Sequence, residues 1–487
     1  MIVGVDVGSQ SLKAVVLDDD FTVCGAGRRA YSITYPRPGW AEQDPHLWEA
    51  ALGPAIAEAI QAAGARPGQV TALGLAGQLD GCVAVEASGR ALAPALIWMD
   101  RRADSVLDAV ARRMPATELR RRTGTNLDGT HMGPKIRWAL DHLPAARAAA
   151  CFHQPVSYLV ERLTGARFLD HGLASTSLVY DLAAGDYADD LLAAFGLDRR
   201  RLPLLARAES QAGRLSAQGA TLTGLGTGIP VAVGTGDDFS TPLGAGVMVP
   251  GVVVNVLGTA EVVGALDPRP AIDPGGLVET HRYVGADLYY IENPGWVSGG
   301  ALEWLRRLLG IADFATFDRL AAEVAPGSDG LLFLPALTGA MTPEWIADAR
   351  GCFYGLTPSH GAGHLARAVL EGTAFGLRDV VMALGAMGVR TQRVRLLGGG
   401  ARSDLWARIR ADVTGLPVER LGQDDSSAIG AGMLAAVAAG KSASLAECAG
   451  MLGEAVTVAE PGAAGAAYAA AHARYRALFQ ALKPMYR

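Results

Sequence analysis

Cysteine is scarce and unpatterned in this chain. Cys24, Cys82, Cys151, Cys352 and Cys448 form an odd set with no C-x-x-C spacing, which argues against a disulfide framework or a zinc site and fits a reducing compartment. A dominant charge is missing as well. The net charge of −6 and the pI near 5.9 leave no basic footprint for nucleic acid or for an anionic membrane surface. They do not exclude phosphate, because backbone N–H groups in glycine turns and at helix N-termini hold anions without a basic patch. No unbroken apolar run is long enough to read as a membrane span. Phe239 to Ala260 carries no charge, but Pro242, Pro250 and several glycines interrupt it, and it reads as a helix, a turn and a buried strand. The first residues lack a basic segment followed by a long apolar one, so no export signal is read and a cytoplasmic location is expected.

Half of the 487 residues are hydrophobic and 19% are charged, the composition of a folded globular chain too long for one core. Ile2 to Asp6, Ala14 to Leu17 and Phe21 to Val23 read as a three-strand meander. A similar pattern returns past the midpoint, where Val252 to Val256 runs into Gly258-Thr259 and resumes at Glu261 to Gly264. This is an internal duplication with a period too long for a solenoid, so two similar domains are expected, residues 1–245 and 246–487. Short apolar strands at Val70 to Ala76, Ala95 to Trp98, Val231 to Val233 and Val394 to Leu397 alternate with helical stretches, which is the α/β pattern. Each strand ends in a polar or glycine-rich turn, where α/β folds place their ligands.

Those turns supply the candidate chemistry. Asp6-Val7-Gly8-Ser9-Gln10-Ser11-Leu12-Lys13 sets a carboxylate beside N–H groups, hydroxyls and an ammonium. Such a turn can cradle phosphate while Asp6 holds Mg²⁺ directly or through water, although an ordinary hairpin has the same look. Gly258-Thr259 occupies the matching turn of the second repeat, which weakens the hairpin alternative for both. Gly398-Gly399-Gly400, followed by Ala401 to Asp404, lets a base or ribose approach the backbone, or else packs a helix on a strand. Asp237 and Asp238 stand at a strand end, where they could cap a helix beginning near Phe239. Alternatively, Asp237 could accept a hydroxyl proton during phosphoryl transfer. Gln78-Leu79-Asp80 and Trp98 to Arg102 offer amide, carboxylate and indole groups to a polyhydroxylated ligand. Within that second segment a helix cap is the preferred reading for Asp100, and Arg101 and Arg102 read as solvated helix charge.

Together these segments resemble the FGGY carbohydrate kinases, most closely the pentulose kinases. The most specific stretch is Gly351-Cys352-Phe353-Tyr354-Gly355-Leu356 followed after seven residues by His364 to Glu371. Landmarks in family order include Glu42-Gln43-Asp44-Pro45, Lys135-Ile136-Arg137-Trp138, Asp237, Gly258-Thr259 and Gly398 to Ser403. The resemblance implies two ribonuclease-H-like, actin-like ATPase domains with ATP and acceptor in the cleft between them. It makes Asp237 the catalytic base and a metal-side carboxylate together with Asp6. Ser9, Gln10, Ser11 and Lys13 match the first phosphate loop and Thr259 the second. Gly299, Glu303, Gly399, Gly400 and Asp404 match nucleotide-side positions, and Gln78, Leu79, Asp80, Trp98, Asp237 and Asp238 face the acceptor.

The implied activity is ATP- and Mg²⁺-dependent phosphorylation of a terminal hydroxyl, with D-xylulose the first choice of acceptor. Other pentuloses or polyols such as ribulose, glycerol or erythritol come second. Asp80 motivates that alternative, since xylulokinases usually carry His there. Gly339 to Pro343, Thr130 and Met132 depart from the family pattern too. An actin-like or chaperone-like ATPase switch and a non-catalytic sugar sensor are the readings from other classes. A small-molecule acceptor is the expected partner, without nucleic acid or membrane, and a homodimer stays open.

Overall fold

The computed structural model describes residues 1–285, 287–422 and 424–486. Two compact units interleave along the chain. The first holds Met1–Met248, Thr280–Tyr289 and Asp425–Leu452, and the second Val249–Glu279, Tyr290–Asp424 and Gly453–Arg487. The single division expected at residue 245 lacks the two later segments of the first unit.

The first unit is built on a seven-stranded sheet. Its strands are β1 (Ile2–Val7), β2 (Ser11–Leu17), β3 (Val23–Ala30), β4 (Ala72–Gly77), β5 (Gln211–Arg214), β6 (Pro230–Ala232) and β7 (Thr235–Gly236). The order is β5-β6-β4-β1-β2-β3, with β7 paired to β4. β1 and β2 are antiparallel, whereas β4 is parallel to β1, β6 and β7. β1 and β4 are buried on both faces apart from the half-buried Asp6, which explains their continuous apolar runs. Gly4 and Gly74 in these strands mark a close approach: a Cβ on either would stand 1.9 Å from a backbone oxygen, Ala428 O and Ala431 O respectively. The Ala-rich helix Ser426–Ala438 lies against that surface. The side chains that Gly4 and Gly74 lack let the backbones meet, which places a helix from late in the chain in the first unit.

The second unit repeats the plan. Its sheet contains β8 (Gly251–Leu257), β9 (Ala260–Asp267), β10 (Tyr289–Val297), β11 (Thr391–Leu397), β12 (Val418–Arg420) and β13 (Val456–Ala459). They run in the order β10-β9-β8-β11-β12-β13. β8 is antiparallel to β9 and parallel to β11, β12 is parallel to β11, and β13 is antiparallel to β12. This sequence of neighbours is that of the first unit, with β8 in the place of β1 and β11 in the place of β4. The duplication visible in sequence is thus a duplication of topology. Helix Ala362–Ala386 carries the His364 to Glu371 signature, and buried apolar residues along it, from Ala366 to Leu384, belong to the unit's core. Among the described residues no helix is long and apolar enough to cross a membrane.

Candidate active site

In the first unit, strand register gathers the candidate acids. Asp6 on β1 is paired with Ala76 on β4, and Ala76 with Thr235 on β7, so the carboxyl ends of three parallel strands deliver Asp6, Gln78 and Asp237 side by side. Asp237 opens the helix Asp237–Gly244, whose N-cap is Gly236 with no side-chain cap bond. Neither Asp237 nor Asp238 is the cap. The helix also begins two residues earlier than the sequence suggests.

The carboxyls here are held toward protonation. Burial, then the neighbouring Asp238 and Asp6, pushes Asp237 well above the ordinary carboxylate range. Burial raises Asp6 to about 6, and Asp425 adds to this, while the Ser427 hydroxyl and the Lys13 ammonium oppose it. Asp238 rises to about 7 through burial and then the charge of Asp80. Three oxygens in this group, Asp6 Oδ1, Asp237 Oδ1 and Gln78 Oε1, are buried without a hydrogen-bond partner. Buried acceptors without donors are uncommon and mark a place where a ligand completes the set.

The turn between β1 and β2 is tight, with Gly8 N donating to Ser11 O at 3.1 Å. Tyr31 Oη donates to Gly8 O at 2.6 Å, and Tyr31 N to Gln10 O at 3.0 Å. Gln10 is exposed. The side chains of this turn are engaged within the unit: Ser9 Oγ accepts from Trp98 Nε1 at 2.7 Å, Ser11 Oγ from Arg28 Nε at 2.9 Å, and Lys13 pairs with Asp425. Trp98 is 43% exposed, so its indole is anchored at one edge and leaves a face free to stack.

The acceptor-side turn is anchored even more heavily. Asp80 has φ +57°, a conformation costing a non-glycine residue about 1 kcal/mol or more, and four partners hold it there. Its N donates to Gln154 Oε1 at 2.8 Å, Oδ1 accepts from Thr176 Oγ1 at 2.6 Å, Oδ2 meets His131 Nδ1 at 3.1 Å, and its O accepts from Lys135 Nζ at 2.8 Å. Lys135 is fully buried and also donates to Ile97 O at 2.8 Å and to Thr130 O. That ammonium ties the Gln78–Asp80 turn to the strand leading into Trp98, and burial draws its pKa down to about 8. Gln78 Nε2 donates to Gln43 Oε1 at 2.8 Å while Gln43 Nε2 donates to Ser9 O at 2.6 Å, so one buried amide spans both turns. Leu79 is half-buried.

Sequence reasoning gave no role to Gln43, His131, Lys135, Gln154 or Thr176. For Lys135 a signal existed, a lysine among the otherwise apolar buried residues of helix Met132–His142. Asp100 is fully buried and accepts from Ala41 N at 2.6 Å and from Arg102, so its role is structural. Arg102 corrects the expectation of solvated charge: it is buried, pairs with Asp100 and Glu42, and lies 3.7 Å over the Trp40 ring.

In the second unit Gly258 and Thr259 form the exposed turn between β8 and β9. Gly299 starts the helix Gly299–Leu308 with its N donating to Gly258 O at 3.2 Å, so close that a Cβ would stand 2.4 Å from that oxygen. The three glycines after β11 divide in role. At Gly400 a Cβ would meet Trp406 at 2.7 Å, which is packing, while Gly399 faces open space and can admit a flat ligand. Glu303 pairs with Arg306 at 2.8 Å and the exposed Asp404 with Arg420 at 2.9 Å.

Two α/β units of one topology, each with a hairpin turn at its first two strands, define a two-domain α/β kinase fold. Comparison with known proteins agrees. Residues 1–244 match the N-terminal domain and residues 253–439 the C-terminal domain of the FGGY family of carbohydrate kinases. The chain belongs to that family and is a carbohydrate kinase. It is 34% identical to the glycerol kinase of Bordetella parapertussis over 92% of this chain and 90% of that one. With the xylulose kinase of Escherichia coli it shares 31% identity over the whole of both chains. The crystal structure of xylulose kinase from Rhodospirillum rubrum superposes with a TM-score of 0.89 at 32% identity, covering 100% of this chain and 99% of that one.

Proposed function

We propose that the protein transfers the γ-phosphoryl group of ATP to a terminal hydroxyl of a pentulose, with D-xylulose the first candidate. The observation that carries this reading is the trio of buried, donor-less oxygens Asp6 Oδ1, Gln78 Oε1 and Asp237 Oδ1. Hydroxyl groups of a sugar and a hydrated cation are the ligands that such oxygens take. Among the described residues no group of three or more His, Cys, Asp or Glu is arranged to hold a metal. The two carboxylates Asp6 and Asp237 fit a Mg²⁺ carried mainly by the polyphosphate, which would neutralise charge on the transferring group.

Asp237 takes the proton of the attacking hydroxyl as its oxygen bonds to the γ-phosphorus and the bond to ADP breaks. Burial and the neighbouring Asp238 and Asp6 hold the Asp237 carboxyl well above the ordinary carboxylate range, a shift in the direction that strengthens a general base. Ser9, Gln10, Ser11 and Lys13 hold phosphate from the first unit, and Gly258 and Thr259 from the second. Gly299, Glu303, Gly399, Gly400 and Asp404 receive the nucleoside. Gln78, Leu79, Asp80 and Asp238 read the acceptor's hydroxyls, and the exposed face of Trp98 stacks on its carbon chain.

One observation favours a second reading, a polyol such as glycerol or erythritol. The Asp80 carboxylate is pinned by Thr176 and His131, and an ionised carboxylate accepts hydrogen bonds only, so it suits a hydroxyl better than a ketone oxygen. The test is ADP release measured with D-xylulose, D-ribulose, glycerol and erythritol at fixed MgATP. Release that depends on acceptor supports phosphoryl transfer, and the ranking of ketoses against polyols chooses between the two readings. Release that ignores every acceptor would point to an ATPase switch.

A further inference from the structure

Asn255, Glu261 and Arg410 lie in the second unit with no solvent exposure at all. Arg410 donates from Nη1 to Glu261 Oε1 at 2.6 Å and to Asn255 Oδ1 at 2.9 Å, and from Nη2 to Glu261 Oε2 at 2.9 Å. Asn255 Nδ2 closes the ring on Glu261 Oε1 at 2.9 Å. The guanidinium also sits 4.5 Å over the ring of Trp406.

Their placement relates them to nucleotide chemistry. Glu261 is paired across the hairpin with Leu257, and Asn255 lies two residues before Leu257 on the same strand, β8, so both stand directly below Gly258-Thr259. Arg410 belongs to the helix Asp404–Thr414, which follows the Gly398–Gly400 turn. Trp406 of that helix fills the space where Gly400 lacks a Cβ. One ring of hydrogen bonds therefore joins the hairpin strands that carry the Gly258-Thr259 turn to the helix that follows the Gly398–Gly400 turn.

Stability does not explain such a pair. Taking both ions out of water is so costly that a well-packed apolar pair is often as stable or more so. What a bidentate guanidinium–carboxylate pair adds is a fixed orientation. We infer that Glu261 and Arg410, oriented by Asn255, are positioning residues for ATP: they hold the Gly258-Thr259 hairpin and the Gly398–Gly400 turn in one register, so that both meet the nucleotide as a single rigid piece. This rests on the nucleotide-binding reading of those turns proposed above.

The test uses the full-length chain carrying Glu261→Leu with Arg410→Met on an Asn255→Val background, so that no buried amide is left unpaired, and separately Glu261→Gln, with Thr259→Val as reference. Melting temperature, KM for ATP and KM for the best acceptor are measured for each. The apolar pair should keep or raise the melting temperature while KM for ATP rises about tenfold and KM for acceptor stays within about twofold, because a displaced contact costs binding without disturbing the remote subsite. Glu261→Gln, which keeps the shape and loses the charge, should raise KM for ATP by about threefold. An apolar pair with wild-type KM for ATP overturns the inference. If that pair does not fold, an unchanged KM for ATP in Glu261→Gln overturns it instead. Thr259→Val separates the two levels: if it leaves ATP binding unchanged, the nucleotide reading of the hairpin fails, whereas a weakened Thr259→Val beside unaffected pair variants refutes positioning alone.

Discussion

Asp237→Asn should act in opposite directions on turnover and on stability. The side chain heads the helix Asp237–Gly244, its Oδ1 has no hydrogen-bond partner, and burial with Asp238 and Asp6 nearby holds the carboxyl well above its ordinary range. Asparagine keeps the shape and cannot take a proton. Loss of a general base costs about 10²- to 10⁴-fold in turnover, or about 3 to 5 kcal/mol of barrier, while KM for ATP changes little. The stability effect follows from the direction of the shifts. A carboxyl whose pKa is raised by folding contributes stability that is fully present below its unfolded pKa and is lost as pH rises through the folded one.

Asp6, raised from 3.8 to about 6, alone corresponds to about 3 kcal/mol lost across that window at 1.36 kcal/mol per tenfold. Asp238, raised to about 7, carries the loss further toward neutrality. Asparagine removes the Asp237 carboxyl, which folding holds well above its ordinary range and which therefore costs the wild type stability as pH rises above the unfolded value, so the melting temperature of Asp237→Asn should exceed that of the wild type by a margin that grows from pH 5 to pH 8 without ligand. Steady-state ADP release at saturating acceptor and melts across that pH range read both effects. A folded variant with turnover within about threefold of wild type would refute the base assignment. A melting difference that does not vary with pH would refute the electrostatic argument.

Three further substitutions probe the rest of the site. Thr259→Val removes a hydroxyl from the exposed hairpin turn and should weaken ATP binding by about 1 to 3 kcal/mol by calorimetry, as expected for a hydrogen bond to a charged group. Asp80→Asn should lower kcat/KM for the acceptor more than ATP affinity, and Asp80→His should move preference toward ketoses, both read from a substrate panel at matched ATP. Lys135→Met leaves the carbonyls of Asp80, Ile97 and Thr130 without their shared donor. It should cost about 2 to 4 kcal/mol in denaturant unfolding and raise acceptor KM more than ATP KM.

Much of this was legible in the sequence where a pattern is local. The opening meander, the duplicated hairpin and the buried strands all carry their period or composition in a few consecutive residues, and the structure contains each, although the meander's third strand begins at Val23 rather than Phe21. Where partners are distant in sequence, legibility ended. The helix Ser426–Ala438 lies far along the chain from the first unit's sheet, and only the contact of Gly4 and Gly74 with its backbone assigns it to that unit. Asp80 was conspicuous as a departure from the pentulose kinase pattern, yet its anchoring by Gln154, Thr176 and His131 joins segments as far as 96 residues apart. Arg102 looked like solvated charge because composition cannot show that Trp40, Glu42 and Asp100 enclose it. The glycine run Gly398–Gly400 left packing and ligand approach undecided, and the answer differs by residue, with Gly400 packed and Gly399 open.

The central claim is phosphoryl transfer to a terminal hydroxyl, and phosphorus–proton correlated NMR of the reaction product tests it most directly. With MgATP and the best acceptor of the panel, the account predicts ADP in equal amount to a new phosphomonoester whose phosphorus couples to the protons of a primary carbon, with neither formed by Asp237→Asn at matched times. Inorganic phosphate in place of the phosphomonoester, at a rate indifferent to acceptor and to Asp237, would contradict it.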